Sequence, residues 1–263
     1  MTPPRPAGIA GSLRYDRSVE DFSTGWRALL CFEPGTRVLE ISRDRGERAG
    51  ALTQDGAVVV CLRSSLAEVE ELRVLGHEAI LAFSGEDGGR GDKFDAVVLA
   101  VAPGGGHRRA WNRGEVAGLL GQALELLDQG GSLLVSVSNP LFSLPGLASL
   151  PAWSRSEPRR QGLSPRVGRY QPLGVRKLRR LITEAGFSGV RVFAALPGAR
   201  RPKFLVPLEE PAIADYFFEF MAPRPASARR RALLAVARWS ARLRLFDRFA
   251  PAYEISASKG VAS

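Results

Sequence analysis

His107 stands directly beyond an unbroken glycine run, Gly104–Gly106, where an apolar segment ends in Pro103. A histidine beyond so pliable a run is placed to act as a general base, because its ordinary pKa lies near neutrality. The plainer reading is a solvated loop histidine. The triple glycine also resembles a phosphate loop, but the lysine and hydroxyl residue of such a loop are missing. A second concentration of chemistry surrounds two apolar runs. Ser42, Arg43 and Arg45 trail the run Thr36–Ile41, and Arg63 follows the run Ala57–Leu62. Together they suit a phosphorylated or otherwise anionic ligand, or they form a solvated rim. The only cysteines are Cys31 and Cys61, and the only other histidine is His77. No Cys/His spacing points to a metal site, so two buried thiols in a reducing compartment are expected.

The elements that must position these residues are short β-branched runs alternating with helical patterns. Thr36–Ile41, Ala57–Leu62, His77–Phe83, Phe94–Pro103 and Gly131–Ser138 read as strands. Their near-continuous apolar character is that of strands covered on both faces, as in a parallel sheet. Arg45–Thr53, Ser65–Gly76, Glu115–Gln129 and Val175–Ala185 read as helices between them. Ser188–Leu196 and Ala252–Lys259 are later strands. Lys203–Leu208 is a further short one, and a helix carries Tyr216, Phe217, Phe218 and Phe220. This alternation predicts an α/β doubly wound fold: a mostly parallel, twisted sheet of about seven strands with helices on both faces. A flexible leader is expected over 1–20, the main domain over 21–197, a helical insertion over 198–250, and a closing strand and tail over 251–263.

Charge bears on partners. The 263 residues carry a formal +10 at neutral pH, and only four of the 37 basic residues are lysines. Trp153–Arg180 and Ala226–Phe249 hold most of the clustered arginines. Such faces attract an acidic protein partner or an anionic membrane surface. For the second segment, the plainer reading is an amphipathic helix packed on the domain. No aromatic-basic motif specifies nucleic acid. No apolar run reaches the ~20 residues of a membrane span, and the N-terminal residues lack a signal-peptide core. A cytoplasmic location is expected, with peripheral membrane attachment as the alternative.

The order of elements resembles the class I S-adenosylmethionine (SAM)-dependent methyltransferases. The similarity rests on GTRVLEISRDRG (Gly35–Gly46), FDAVVLAV (Phe94–Val101), LLDQGGSLLVSVSNP (Leu126–Pro140), RKLRRLITEAGFSGVRVFAALP (Arg176–Pro197) and the closing AYEISASK (Ala252–Lys259). A looser similarity to methyltransferase-like proteins of surface-glycan synthesis lies in Gly186–Leu208.

The resemblance implies a SAM site beyond the carboxyl ends of the strands. In the family pattern Glu-x-Gly-x-Gly-x-Gly, Glu40 takes the acidic place. The glycine places fall on Ser42, Asp44 and Gly46, of which only the last is glycine. The acid that ends the second strand and binds the ribose hydroxyls is replaced by Arg63, which has no acceptor and would face a cationic cofactor. Glu86 or Asp87 stands at the acidic place after the third strand. Weak or lost SAM binding is therefore expected, in a non-catalytic homologue with a binding or accessory role. The alternatives are a divergent but intact SAM site and an active methyltransferase acting on a glycan or small metabolite, with His107 the one candidate catalytic residue.

Overall fold

Five apolar runs become strands of a sheet that lies between two helical layers, with the edge strand only part-buried. They are Arg37–Ile41 (β1), Val58–Arg63 (β2), Glu78–Leu81 (β3), Phe94–Ala100 (β4) and Leu127–Ser138 (β5). The computed structural model describes residues 25–30, 33–42, 46–81, 93–101, 112–139, 174–196, 202, 204–221, 235, 238–239, 242 and 250–260. Phe187–Leu196 (β6), Phe204–Pro207 (β7) and Ala252–Lys259 (β8) complete one sheet of order β3-β2-β1-β4-β5-β8-β6-β7. β1 to β5 pair in parallel, β8 inserts antiparallel between β5 and β6, and β7 pairs antiparallel with β6. The mostly parallel α/β sheet is as expected. The count is eight rather than about seven strands. The eighth is β7, the short strand expected within Lys203–Leu208, inside the segment expected to be a helical insertion.

Helices cover both faces. A 3₁₀ turn (Gly25–Leu29), Glu47–Gln54 (α1) and Leu66–Val74 (α2) lie on one face, where Trp26, Leu52, Val69 and Leu72 pack on Val38, Val59, Cys61 and Val98. Arg113–Leu126 (α3), Val175–Glu184 (α4) and Pro211–Tyr216 (α5) lie on the other, where Leu120, Leu178, Ile182 and Phe218 pack on Leu39, Leu99, Val135 and Ile255. Local chemistry sets their ends. Ser65 accepts from the Glu68 amide at the start of α2. Asn112 and Glu115 form a reciprocal capping box at the start of α3. α3 therefore begins before the expected Glu115, and it stops before the expected Gln129.

The Gly-Gly pair after α3 has a steric cause. Phe94 pairs with Leu127 and Ala96 with Ser132, so the intervening β5 residues bulge. Gly130 sits at φ 76°. A Cβ on Gly131 would approach Leu127 Cδ2 to 2.9 Å and the Asp128 and Asp95 carbonyl oxygens to 3.0 and 3.1 Å. Lys259 donates to the Leu124 and Leu127 carbonyls at 2.8 and 2.7 Å, closing the end of α3. Asp95 accepts from the Arg37 amide at 2.8 Å and ties β4 to β1.

Of the expected helix Ala226–Phe249, the described residues Ala235, Arg238, Trp239 and Arg242 are helical. Arg238 Nε and Arg242 Nη2 donate to the two carboxylate oxygens of Asp215 in α5, at 2.6 and 2.8 Å. Arg242, and then Arg238, hold the Asp215 carboxyl below its ordinary range. Two of the clustered arginines are thus turned onto the domain. The expected leader and residues 153–173 of the Arg-rich segment Trp153–Arg180 lie outside the described residues.

Candidate functional site

The parallel strands bring buried polar side chains to their carboxyl ends on one face. Ile41 is level with Leu62 of β2 and Leu99 of β4, so Ser42, one step on, is level with Arg63 and Ala100. Ala100 pairs with Ser136, and Ser136 with Glu254 of β8. Because alternate strand residues share a face, Arg63, Ser42, Ala100, Ser136 and Glu254 make one row across five strands. All five are buried. Glu40, two residues before Ser42, faces the same way.

The row contains two charged clusters. In the first, Arg63 Nη2 lies 2.7 Å from Glu40 Oε2, with side-chain exposures of 1% and 0%. Arg63 Nη1 also donates to the Leu62 carbonyl at 3.0 Å. Arg63 is the last residue of β2, the position expected for it. It does not face outward toward a ligand, however; it turns back across the sheet to the acid of β1. The cause is electrostatic. A guanidinium that cannot lose its proton, buried one strand away from a buried carboxylate, is most stable against that carboxylate.

In the second cluster, Arg48 of α1 reaches over the sheet and donates from Nη1 to Ser136 Oγ at 2.8 Å. Ser136 Oγ in turn donates to Glu254 Oε2. The Trp26 ring lies against Arg48, with Cζ 5.2 Å from the ring centroid. Burial pushes the Glu254 carboxyl up to about 7, against the opposing pull of Arg48 and of the Ser136 hydroxyl. Sequence reasoning missed Trp26, Arg48, Ser136 and Glu254. The available signal was an acid at an inward position of AYEISASK, cross-strand from an inward serine of GSLLVSVS.

Gly46, the surviving glycine of the motif, caps α1 at φ 84°. A Cβ there would come within 2.8 Å of both His77 Cδ2 and Leu72 Cδ2. The glycine is therefore required by its backbone conformation and by close packing against α2 and the turn after it. Gly46→Ala is expected to lower unfolding stability by about 2–4 kcal/mol, combining left-handed strain and overpacking. Urea denaturation checks this, and an unchanged midpoint would contradict it. Asp44, Glu86, Asp87 and His107, together with Arg43 and Arg45, lie outside the described residues. Among the described residues no group of three or more His, Cys, Asp or Glu side chains is arranged to hold a metal. Cys61 is a buried free thiol.

No family model and no curated protein matches the chain. Solved structures do. A methyltransferase from Galdieria sulphuraria aligns over 93% of this chain and 86% of its own, at 9% identity and a TM-score of 0.50. A SAM-dependent methyltransferase from Archaeoglobus fulgidus aligns over 89% and 90%, at 13% identity and a TM-score of 0.50. The chain has a class I methyltransferase-like fold. In the methyltransferase-like fold, ligands bind beyond the carboxyl ends of the strands, the edge that carries the Glu40–Arg63 pair and the Arg48–Ser136–Glu254 chain.

Proposed function

We propose that this methyltransferase-like protein is a non-catalytic homologue whose SAM site is degenerate, and that it has a binding or accessory role. The observation that carries this reading is the buried Glu40–Arg63 pair at the ends of β1 and β2. The resemblance assigns both strand ends to the cofactor: an acid at β1, and at β2 an acid that accepts from the ribose hydroxyls. Here the β1 acid is committed to an arginine, and the β2 position offers donors only. A SAM molecule would have to displace a buried ion pair and bring its sulfonium toward a guanidinium. The residues present therefore do not fit the cofactor.

Isothermal titration of the purified chain with SAM and S-adenosylhomocysteine tests the reading. A missing charge-assisted hydrogen bond is worth roughly 1.5–3 kcal/mol, or about ten- to a hundred-fold in affinity. The expected result is no binding, or binding far weaker than micromolar. Low-micromolar binding would make the second reading the leader: an active methyltransferase on a glycan or small metabolite. One observation favours that second reading, namely that Gly46 keeps the left-handed turn of the motif. Among the described residues no helix is long and apolar enough to cross a membrane.

A further inference from the structure

The helical layer of α3, α4 and α5 has an unusual outer surface. α4 buries Val175, Leu178, Leu181 and Ile182 against the sheet, and by helical periodicity it turns Arg176, Lys177, Arg179 and Arg180 outward. The surface continues from α4 toward α5. Arg179 lies 3.9 Å from Glu209, the residue before the Glu210 cap of α5. Beyond it, Ile213, Tyr216 and Trp239 project with exposures of 42%, 57% and 62%. They adjoin in sequence the Asp215–Arg238–Arg242 clamp, which fixes the helical segment carrying Trp239 against α5.

We propose that this face, the outer surface of α4 and α5 with Trp239, docks on a bilayer containing anionic lipid. Charge complementarity supplies the first argument. Exposed carboxylate pairs are weak, so lipid phosphates can replace Glu184, which lies 2.6 Å from Arg180, and Glu209 as partners of the α4 arginines. The projecting side chains supply the second. An amphipathic indole, a phenol and an isoleucine beside cations suit the headgroup boundary, where the rings enter and the charges stay with phosphate. An acidic protein or a nucleic acid would use the cations but gives no reason for an exposed isoleucine beside them. The face is assembled without Glu40, Arg63, Ser136 or Glu254, so the inference stands apart from the SAM reading.

The test is co-sedimentation of the full chain with phosphatidylcholine vesicles, with and without phosphatidylglycerol, at low and high salt. Binding is expected only with phosphatidylglycerol, and high salt should weaken it. Arg179→Glu with Arg180→Glu should lower partitioning at least about tenfold. Arg176→Gln with Lys177→Gln should lower it less but in the same direction, and circular dichroism confirms that each variant is folded. A blue shift of tryptophan emission on binding should disappear in Trp239→Phe. Absence of binding to anionic vesicles at low salt overturns the proposal. So does undiminished binding by both folded charge variants, or retention on RNA or an acidic polypeptide without vesicle binding.

Discussion

Arg63→Met is expected to lower the unfolding free energy at pH 8 by about 3–5 kcal/mol, the cost of leaving one member of a buried ion pair without the other. The size follows from the burial of both groups: the two side chains are at most 1% exposed, and their charged atoms lie 2.7 Å apart. Glu40→Leu should be at least as damaging, but the two losses should differ in their pH dependence. A lone buried carboxyl can escape by taking up a proton, whereas a lone guanidinium cannot lose one. In Arg63→Met the folded-state affinity of Glu40 for a proton rises, so its stability is retained at low pH and lost as pH rises. In Glu40→Leu no such recovery on acidification is available from the pair. The double variant Glu40→Leu with Arg63→Met should regain most of the loss, because apolar groups of similar size replace a buried pair at little cost. Urea denaturation of all four proteins at pH 5 and pH 8 gives the coupling energy. Single variants within about 1 kcal/mol of the parent would mean that water reaches the pair. The strand ends would then be open to ligand, and the degenerate-site reading would lose its main support.

The fold was readable because burial wrote it into the apolar pattern. Strands covered on both faces leave short β-branched runs, and α4 leaves Val175, Leu178, Leu181 and Ile182 at helical spacing. Terminal details were less readable where two signals overlap. Leu126 and Leu127 continue the apolar stripe of α3, so the stripe runs past the helix end, and strand pairing with Phe94 already starts at Leu127. At the other end, Asn112 and Glu115 carry a capping-box signature that places the start of α3 earlier than its first apolar residue does. β7 was readable too: it pairs with β6 from Phe204 to Pro207, within the expected Lys203–Leu208.

The site was readable in identity but not in partnership. Glu40 and Arg63 are picked out by their places at strand ends, yet no linear pattern says that the arginine will turn toward the acid. That outcome depends on β1 and β2 being neighbours in parallel register, with Cys61 level with Glu40 and Arg63 two residues on. The Arg48–Ser136–Glu254 chain is harder still. Its members come from three elements 88 and 118 residues apart in sequence. Only the insertion of β8 beside β5 brings the last two together.

Glu254→Gln is expected to flatten the pH dependence of stability between about pH 4.5 and pH 7. In the parent protein the carboxyl is buried in β8 between Ser136 of β5 and Phe193 of β6, and Arg48 of α1 is the facing charge. Its Oε1 has no hydrogen-bond partner among the described residues. Desolvation dominates over the arginine and the serine hydroxyl, and the group's pKa rises from 4.5 to about 7. The sign follows directly. The folded state holds this proton more tightly than the unfolded state, so the contribution to stability is complete below about pH 4.5. It is lost as pH rises through about 7 and constant above that. A rise of this size corresponds to about 3 kcal/mol, larger than most single surface changes produce. The glutamine side-chain carbonyl can still accept from the Ser136 hydroxyl, so the variant removes the titration while keeping the bond. The stability of the parent minus that of the variant should therefore fall by about 3 kcal/mol from pH 4.5 to pH 8. Ser136→Ala supplies the directional control. It deletes a hydrogen bond that favours the ionised carboxylate, so it should move the falling limb to higher pH. Parallel curves for the parent and Glu254→Gln would show that Glu254 stays ionised throughout, with Arg48 and not burial setting its charge.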